Sequence, residues 1–239
     1  MKTAVILAAG MGTRLRTAHV DMPKGFIELG GKPIIEQSIA RLEQAGIRDI
    51  VIVTGYAAEY YHKLAVRYDG TIRIVHNPDY AESGSMYSLF CARDVIDDDF
   101  LLLESDIVYE SRALDVLIDL ESPDAVLLSG PTHAGDEVYI EAPNGLLLNM
   151  SKDQSVLGSV AGELVGISKI SHSLHGYMNH LAREQFNDSY YYDYETDCLV
   201  AAARNWEIVC PLVPDLVWAE IDDPAHLERA RKEVWPRLN

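Results

Sequence analysis

The chain has 239 residues, 48% of them hydrophobic and 24% charged, with a formal net charge of −17. That length can bury a sizeable core, and the composition excludes disordered and collagen-like classes. The charge argues against DNA or an anionic membrane as a partner.

In chain order, residues 4–7 read as a buried strand followed by a glycine-containing loop. This apolar stretch is too short for a signal peptide and ends in glycines, as a strand would. Pro33 opens a helix with Ile35, Ile39 and Leu42 on one face and Gly46 as its stop. Residues 49–54 form a second strand, 57–68 a second helix and 71–75 a third strand. Residues 77–85 are turn-rich, 86–96 helical, 100–103 a fully apolar strand, 112–120 helical and 125–128 a strand. This alternation predicts an α/β fold with a mostly parallel sheet. The texture then changes. Residues 137–141 and 146–150, joined by Pro143-Asn144-Gly145, predict a hairpin. A strand over 164–170, a long helix over 173–186, a tyrosine-rich acidic loop and a further helix follow. Strands are expected near 208–210 and 217–221, and a last helix over 224–234 with Asp223 as its cap. No apolar run approaches the roughly 18 residues of a membrane span. Cys91, Cys198 and Cys210 lie far apart without metal-ligand spacing, which predicts reduced thiols and a cytoplasmic protein.

The charge is unevenly spread. Residues 1–32 carry a net +3 and the remainder −20, so one end suits a small anion and the rest a metal ion or cationic group. Small residues in the loop after the first strand let backbone N–H groups approach phosphates, and Arg14 and Lys24 add charge. Two common nucleotide motifs fail here. A dinucleotide fingerprint needs a third glycine where Leu15 stands and an acid where the second strand ends in Thr54-Gly55; the Gly-Lys-Ser/Thr of a P-loop is absent. Asp106 and Asp222 each follow an apolar strand, where open α/β sheets bind ligands, and two such carboxylates suit Mg²⁺. Each also has a plainer role open to it, Asp106 in a turn and Asp222 in capping the last helix.

The run Leu7-Ala8-Ala9-Gly10-Met11-Gly12-Thr13-Arg14-Leu15, with Pro23-Lys24 downstream, resembles the signature of nucleotidyltransferases that attach a nucleoside monophosphate to a phosphorylated acceptor. The resemblance covers essentially the whole chain. It implies a single domain over 1–239, with a Rossmann-like mixed, mostly parallel sheet flanked by helices and a small acceptor-side insertion. It also implies that residues 7–14 and Lys24 bind the nucleotide. Gly55, Tyr56, Glu82, Ser83, Gly84, Ser85 and Ser105 join that set, the base being held largely through backbone groups. Asp106 and Asp222 become the Mg²⁺ ligands, and Arg14, Lys24 and Lys152 the cations acting at the reacting phosphates.

The segments NPDYAESGSMYSL, LLLESDIVYE, GDEVYIE, NMSK and GELVGISKIS look closest to 2-aminoethylphosphonate cytidylyltransferases, and next to phosphocholine cytidylyltransferases. The choice of cytosine comes with that branch and not from spacing. On the acceptor side, Lys152 and Ser129 are candidates for the phosphonate, and Asp136, Glu195 and Asp197 for its ammonium. Lys152 also reads as a surface lysine, and the 190–197 cluster as a solvated loop. The expected partners are CTP and 2-aminoethylphosphonate or phosphocholine, less readily a sugar-1-phosphate, with no nucleic acid or membrane, in a monomer or homodimer. A catalytically inactive nucleotide sensor of this fold and a nicotinamide oxidoreductase are the competing classes. The four residues Arg14, Lys24, Asp106 and Asp222 weigh against the first, and Leu15 and Thr54 against the second.

Overall fold

The computed structural model describes residues 1–15 and 22–238; Arg16 and Asp21 of the basic amino-terminal segment lie outside these. Strand β1 (Thr3–Ala8) is buried along its whole length. It runs parallel to β2 (Asp49–Thr54) on one side and to β4 (Phe100–Glu104) on the other, with Val5 opposite both Val51 and Leu102. Strand β3 (Ile72–His76) extends the parallel set beyond β2. Valine, isoleucine and leucine dominate these strands because helices cover both faces of the sheet. Helix α1 (Ile34–Gln44) places Ile35, Ile39 and Leu42 against it. Its stop is a Schellman arrangement, with Ile47 N–H on Leu42 C=O and Gly46 N–H on Glu43 C=O. Helices α2 (Glu59–Val66) and α3 (Ser85–Cys91) follow β2 and β3.

After β4 the chain makes a short strand, β5 (Ile107–Tyr109), that the sequence pattern does not announce, then α4 (Arg112–Asp119) and β6 (Ala125–Ser129). Strands β7 (Tyr139–Glu141) and β8 (Asn149–Ser151) pair antiparallel as the expected hairpin, although shorter, with a wide connection in place of a tight turn. Strand β9 (Gly162–Ile170) lies antiparallel to β4 and β6 and touches β7 with its first residues. The mixed, mostly parallel sheet is therefore ordered β8-β7-β9-β4-β1-β2-β3, with β6 also on β9. The strand expected at 208–210 forms instead at β10 (Leu212–Val213), parallel to β6; Val209 makes only isolated bridges.

Helix α5 (His172–Gln185) is capped by the Ser171 hydroxyl, which accepts the Leu174 N–H at 3.0 Å. The buried Asp124 carboxylate accepts from Ser171 N–H, Ser171 Oγ and Trp206 Nε1, so it is fully satisfied. The acidic loop passes through a widened helical turn (Tyr194–Leu199) into α6 (Val200–Ala203). Strand β11 (Trp218–Glu220) then pairs antiparallel with β5. Asp223 caps α7 (Pro224–Arg229) by accepting the His226 N–H at 2.9 Å, as the sequence predicts, and helical turns continue to Leu238. No helix among the described residues is long and apolar enough to cross a membrane.

His175 is 2% exposed, edge-on to Phe100, and its Nε2 has no partner. Burial, and then the neighbouring His172, push it down to about 4. It is neutral in the folded protein but protonates near 6.5 when unfolded, so its contribution is complete above about pH 6.5 and lost as pH falls towards 4. Relative to His175→Leu, wild type should lose about 2 kcal/mol between pH 7 and pH 5. Denaturant unfolding of both proteins at the two pH values checks this, and an unchanged difference would show an ordinary histidine.

Candidate active site

The parallel strands β1, β2 and β4 all end on one side of the sheet, where an open α/β fold leaves a crevice. Their carboxyl ends and the amino end of α3 enclose a cavity of about 270 Å³. Leu7, Ala8, Ala9, Gly10, Gly12, Lys24, Ser83, Gly84, Ser85, Ser105 and Asp106 line it, all from the expected set. Gly12 has a left-handed backbone (φ +56°), and a Cβ there would stand 3.1 Å from Cγ of Lys24, so glycine lets the loop lie against the lysine stem.

Lys24 is the centre of the site. Its Nζ donates to Asp106 Oδ2 at 2.7 Å and to Asp222 Oδ1. The β5–β11 ribbon brings these two aspartates together, with Ile221 N–H bonded to Asp106 C=O at 3.0 Å. Arg14 Nη2 donates to the other Asp222 oxygen at 2.7 Å, and its Nη1 lies 3.5 Å from Asp136. Burial pushes the Lys24 ammonium down, but Asp106 and Asp222 outweigh it and hold it well above the usual lysine range. Burial likewise pushes Asp222 up, and Lys24 outweighs it, leaving Asp222 at about 2. Opposite charges thus decide both protonation states.

Beyond Lys24 stands a wall of acids in which the expected Asp106 and Glu195 are joined by Glu104 and Glu220, which the sequence reading did not single out. Carboxylate oxygens of Glu104, Asp106 and Glu220 lie within 4.8 Å of one another. Tyr194 donates its hydroxyl to Glu104 Oε1 at 2.7 Å. Burial, then Glu195 and Asp106, raise Glu104 to about 8; burial, then Glu104, raise Glu220 to about 10. Glu195, raised by burial and Asp193 to about 7, bonds to Ser85 Oγ at 3.0 Å. Glu104, Glu195 and Glu220 also line a second, smaller cavity of about 70 Å³, together with Asp136, Lys152, Thr132, Trp218 and Arg229.

Several expected residues sit elsewhere. Asp197 is exposed and accepts the Asp193 N–H at 2.8 Å, shaping the loop without reaching either cavity. Ser129 is buried in β6 and donates to Gly130 C=O. Gly55 lies behind Tyr80, which lines the cavity, and neither Gly55 nor Tyr56 is part of the lining. Glu82 and Thr13 are exposed, and neither they nor Met11 line the cavity. Gly84 and Ser85 do, but their backbone N–H groups are already spent on Tyr190 C=O and on the Asp193 carboxylate. The backbone donors expected there are therefore engaged within the protein. Tyr61, Tyr80, Ser88, Glu104, Tyr194 and Glu220, with the expected Glu195, complete the lining. Glu104 and Glu220 carried a usable signal, each standing two residues before an expected metal aspartate at the end of an apolar strand.

Residues 4–174 match the MobA-like NTP transferase domain. The chain belongs to this family. It is similar to a CMP-5'-(3-aminopropyl)phosphonate synthase of Streptomyces rubellomurinus, 32% identical over 95% of this chain and 38% of the relative. It is also similar to a 2-aminoethylphosphonate cytidylyltransferase of Lancefieldella rimae, 31% identical over 70% of this chain and 66% of the relative. The chain thus spans under half the length of the first relative. A solved CTP:phosphocholine cytidylyltransferase of Streptococcus pneumoniae superposes with a TM-score of 0.78 at 20% identity, covering 97% of this chain and 99% of that one. At that identity the likeness is one of fold.

Removing the Lys24 ammonium leaves Asp106 and Asp222 facing each other with only Arg14 as counter-charge. Lys24→Ala should cost about 2–3 kcal/mol of folding stability. Lys32, exposed on a two-residue strand, should change stability by less than about 0.5 kcal/mol as Lys32→Ala. Chemical denaturation of both variants checks this; equal effects would mean that Lys24 is not the keystone of the site.

Proposed function

We propose that the protein transfers CMP from CTP to 2-aminoethylphosphonate, releasing pyrophosphate. The observation that carries this reading is the convergence of Asp106 and Asp222 on Lys24 beside the larger of two cavities, which share Glu104, Glu195 and Glu220 in their linings. The larger cavity adjoins the nucleotide signature and the smaller carries both Lys152 and carboxyl groups. Relatives named for aminoalkylphosphonates support the choice of acceptor class.

The two aspartates also fit Mg²⁺. Their oxygens are hard donors already gathered around a positive charge, and Mg²⁺ needs only one or two carboxylates besides substrate oxygens and water. When bound, the ion supplies electrostatic neutralisation of the α-phosphate and acceptor oxygens. The chain's own groups do the rest. A phosphonate oxygen is anionic near neutral pH, so its attack on the α-phosphorus needs no general base. One P–O bond forms as the bond to the leaving pyrophosphate breaks, and its electron pair departs with the pyrophosphate. The protein's task is then alignment and charge. Lys24 and Arg14 stand beside the cavity to stabilise the charge that builds on the leaving group. Lys152 offsets the acceptor's charge as two anions approach.

Asp106→Asn and Asp222→Asn should each lower turnover at least about 100-fold, ~2.7 kcal/mol, with a much smaller change in CTP affinity. Steady-state kinetics on folded variants checks this, and near-normal turnover in either removes that residue from the site.

Pyrophosphate release, measured for four NTPs crossed with 2-aminoethylphosphonate, phosphocholine and sugar-1-phosphates, tests the reaction itself. CTP with 2-aminoethylphosphonate should lead. Comparable or better rates with phosphocholine would move the assignment to choline, and no release with any pair would leave a nucleotide-binding protein.

A further inference from the structure

The smaller cavity holds opposite chemistries side by side. Glu104, Glu195 and Glu220 come from β4, the widened turn and β11, and none of them forms an ion pair within 4 Å among the described residues. Lys24 does not serve them, because its ammonium is committed to Asp106 and Asp222. On the same lining, Trp218 is 8% exposed and its indole N–H has no hydrogen-bond partner; the Arg229 Nε is also buried and unpartnered. A buried N–H without an acceptor is costly and points to a ligand atom that completes it. The lining therefore offers acceptors for a cation and N–H donors for an acceptor oxygen, the description of a small zwitterion.

Two features hold the acidic end in place. Tyr194 fixes Glu104 Oε1 with its hydroxyl. The other oxygen, Oε2, lies where β9 is bulged at Gly166 (φ +77°), and a Cβ there would fall 2.7 Å from it. The bulge keeps that space clear for the carboxylate.

We infer that Glu104 and Glu220 receive the ammonium group of the acceptor and set its preference for an N–H-bearing amine, with the indole N–H of Trp218 meeting the acceptor's anionic end. This rests on the cytidylyl-transfer reading above and moves the amine contact from Asp197 to the two glutamates on the sheet. A primary ammonium offers three donors to these acceptors, whereas a methyl group of the same size offers none. Leaving two converging carboxyl groups without their partner is the penalty that separates the two ligands.

The test compares 2-aminoethylphosphonate with n-propylphosphonate, in which CH₃ replaces NH₃⁺. Calorimetric binding is measured with a non-hydrolysable CTP analogue and Mg²⁺ present, and kcat/KM with CTP. Wild type should favour the amine at least about tenfold in both. Glu104→Gln and Glu220→Gln should each bring that ratio down at least about fivefold, and Tyr194→Phe should lower it less. A ratio near one in wild type overturns the inference without any variant, as does failure of 2-aminoethylphosphonate to bind. A ratio that survives in both folded glutamate variants overturns it as well. Preferential binding of the amine without pyrophosphate release would sustain this inference and sink the proposed reaction. Turnover of both acceptors without preference would do the reverse.

Discussion

One ammonium group organises the site. Lys24 reaches Asp106 and Asp222, which lie 82 and 198 residues away in the chain. Taking three charges out of water is expensive, and the arrangement persists because each charge is met at hydrogen-bond distance. Geometry comes from the backbone. The β5–β11 ribbon and the Ile221-to-Asp106 hydrogen bond set the aspartates side by side, and the Asp223 cap turns the chain away immediately afterwards. Asp223 thereby serves the helix and leaves Asp222 to Lys24 and Arg14.

The sheet explains why the acids beyond Lys24 gather. Strand β4 enters the crevice with Glu104 and Asp106 two residues apart, and β11 arrives with Glu220 and Asp222 at the same spacing. Asp106 lies in the turn that follows β4 and Asp222 just past β11, and the β5–β11 pairing brings carboxylate oxygens of Glu104, Asp106 and Glu220 within 4.8 Å of one another. Ser85 ties the third contributor to the wall. Its N–H and hydroxyl hold Asp193 and Glu195, and its oxygen accepts the Tyr194 N–H at 2.9 Å. The acidic loop is thereby fastened over the first turn of α3, and Tyr87 stacks on Tyr190 at 4.3 Å further along the same contact.

The buried strands β1, β2 and β4, the α1 stop at Gly46 and the Asp223 cap were legible in the sequence because each rests on local pattern or local hydrogen bonding. The glycine loop with Lys24 was legible through its match to the nucleotidyltransferase signature. Strand β5 was not, since three residues between two turns carry no period. Asp197 and Ser129 had the right chemistry, but a loop carboxylate can turn back on its own backbone and a strand hydroxyl can face inward; periodicity decides neither. Glu220 and Tyr194 were missed because their role depends on β5 and β11 pairing and on a widened turn folding under the sheet. These are contacts between segments about 90 residues apart or more.

The overall charge of −17 poses a problem for a protein read as binding a nucleoside triphosphate. The local excess of basic residues near the amino terminus answers only part of it, because the two cations that reach the site, Lys24 and Arg14, are already matched to Asp106 and Asp222. Burial and mutual repulsion hold Glu104 and Glu220 protonated, so these groups take up charge only when a cation enters beside them. On the proposed reading, the site gains affinity for its anions only as cations enter with them, a divalent ion with the triphosphate and an ammonium with the acceptor. Each substrate then supplies charge that the other needs, so their binding should be mutually favourable by linkage. An anionic acceptor lacking the amine still meets Lys152 in the smaller cavity but leaves Glu104 and Glu220 without an ammonium donor. Its weaker binding on this reading follows from acceptor oxygens left without a donor.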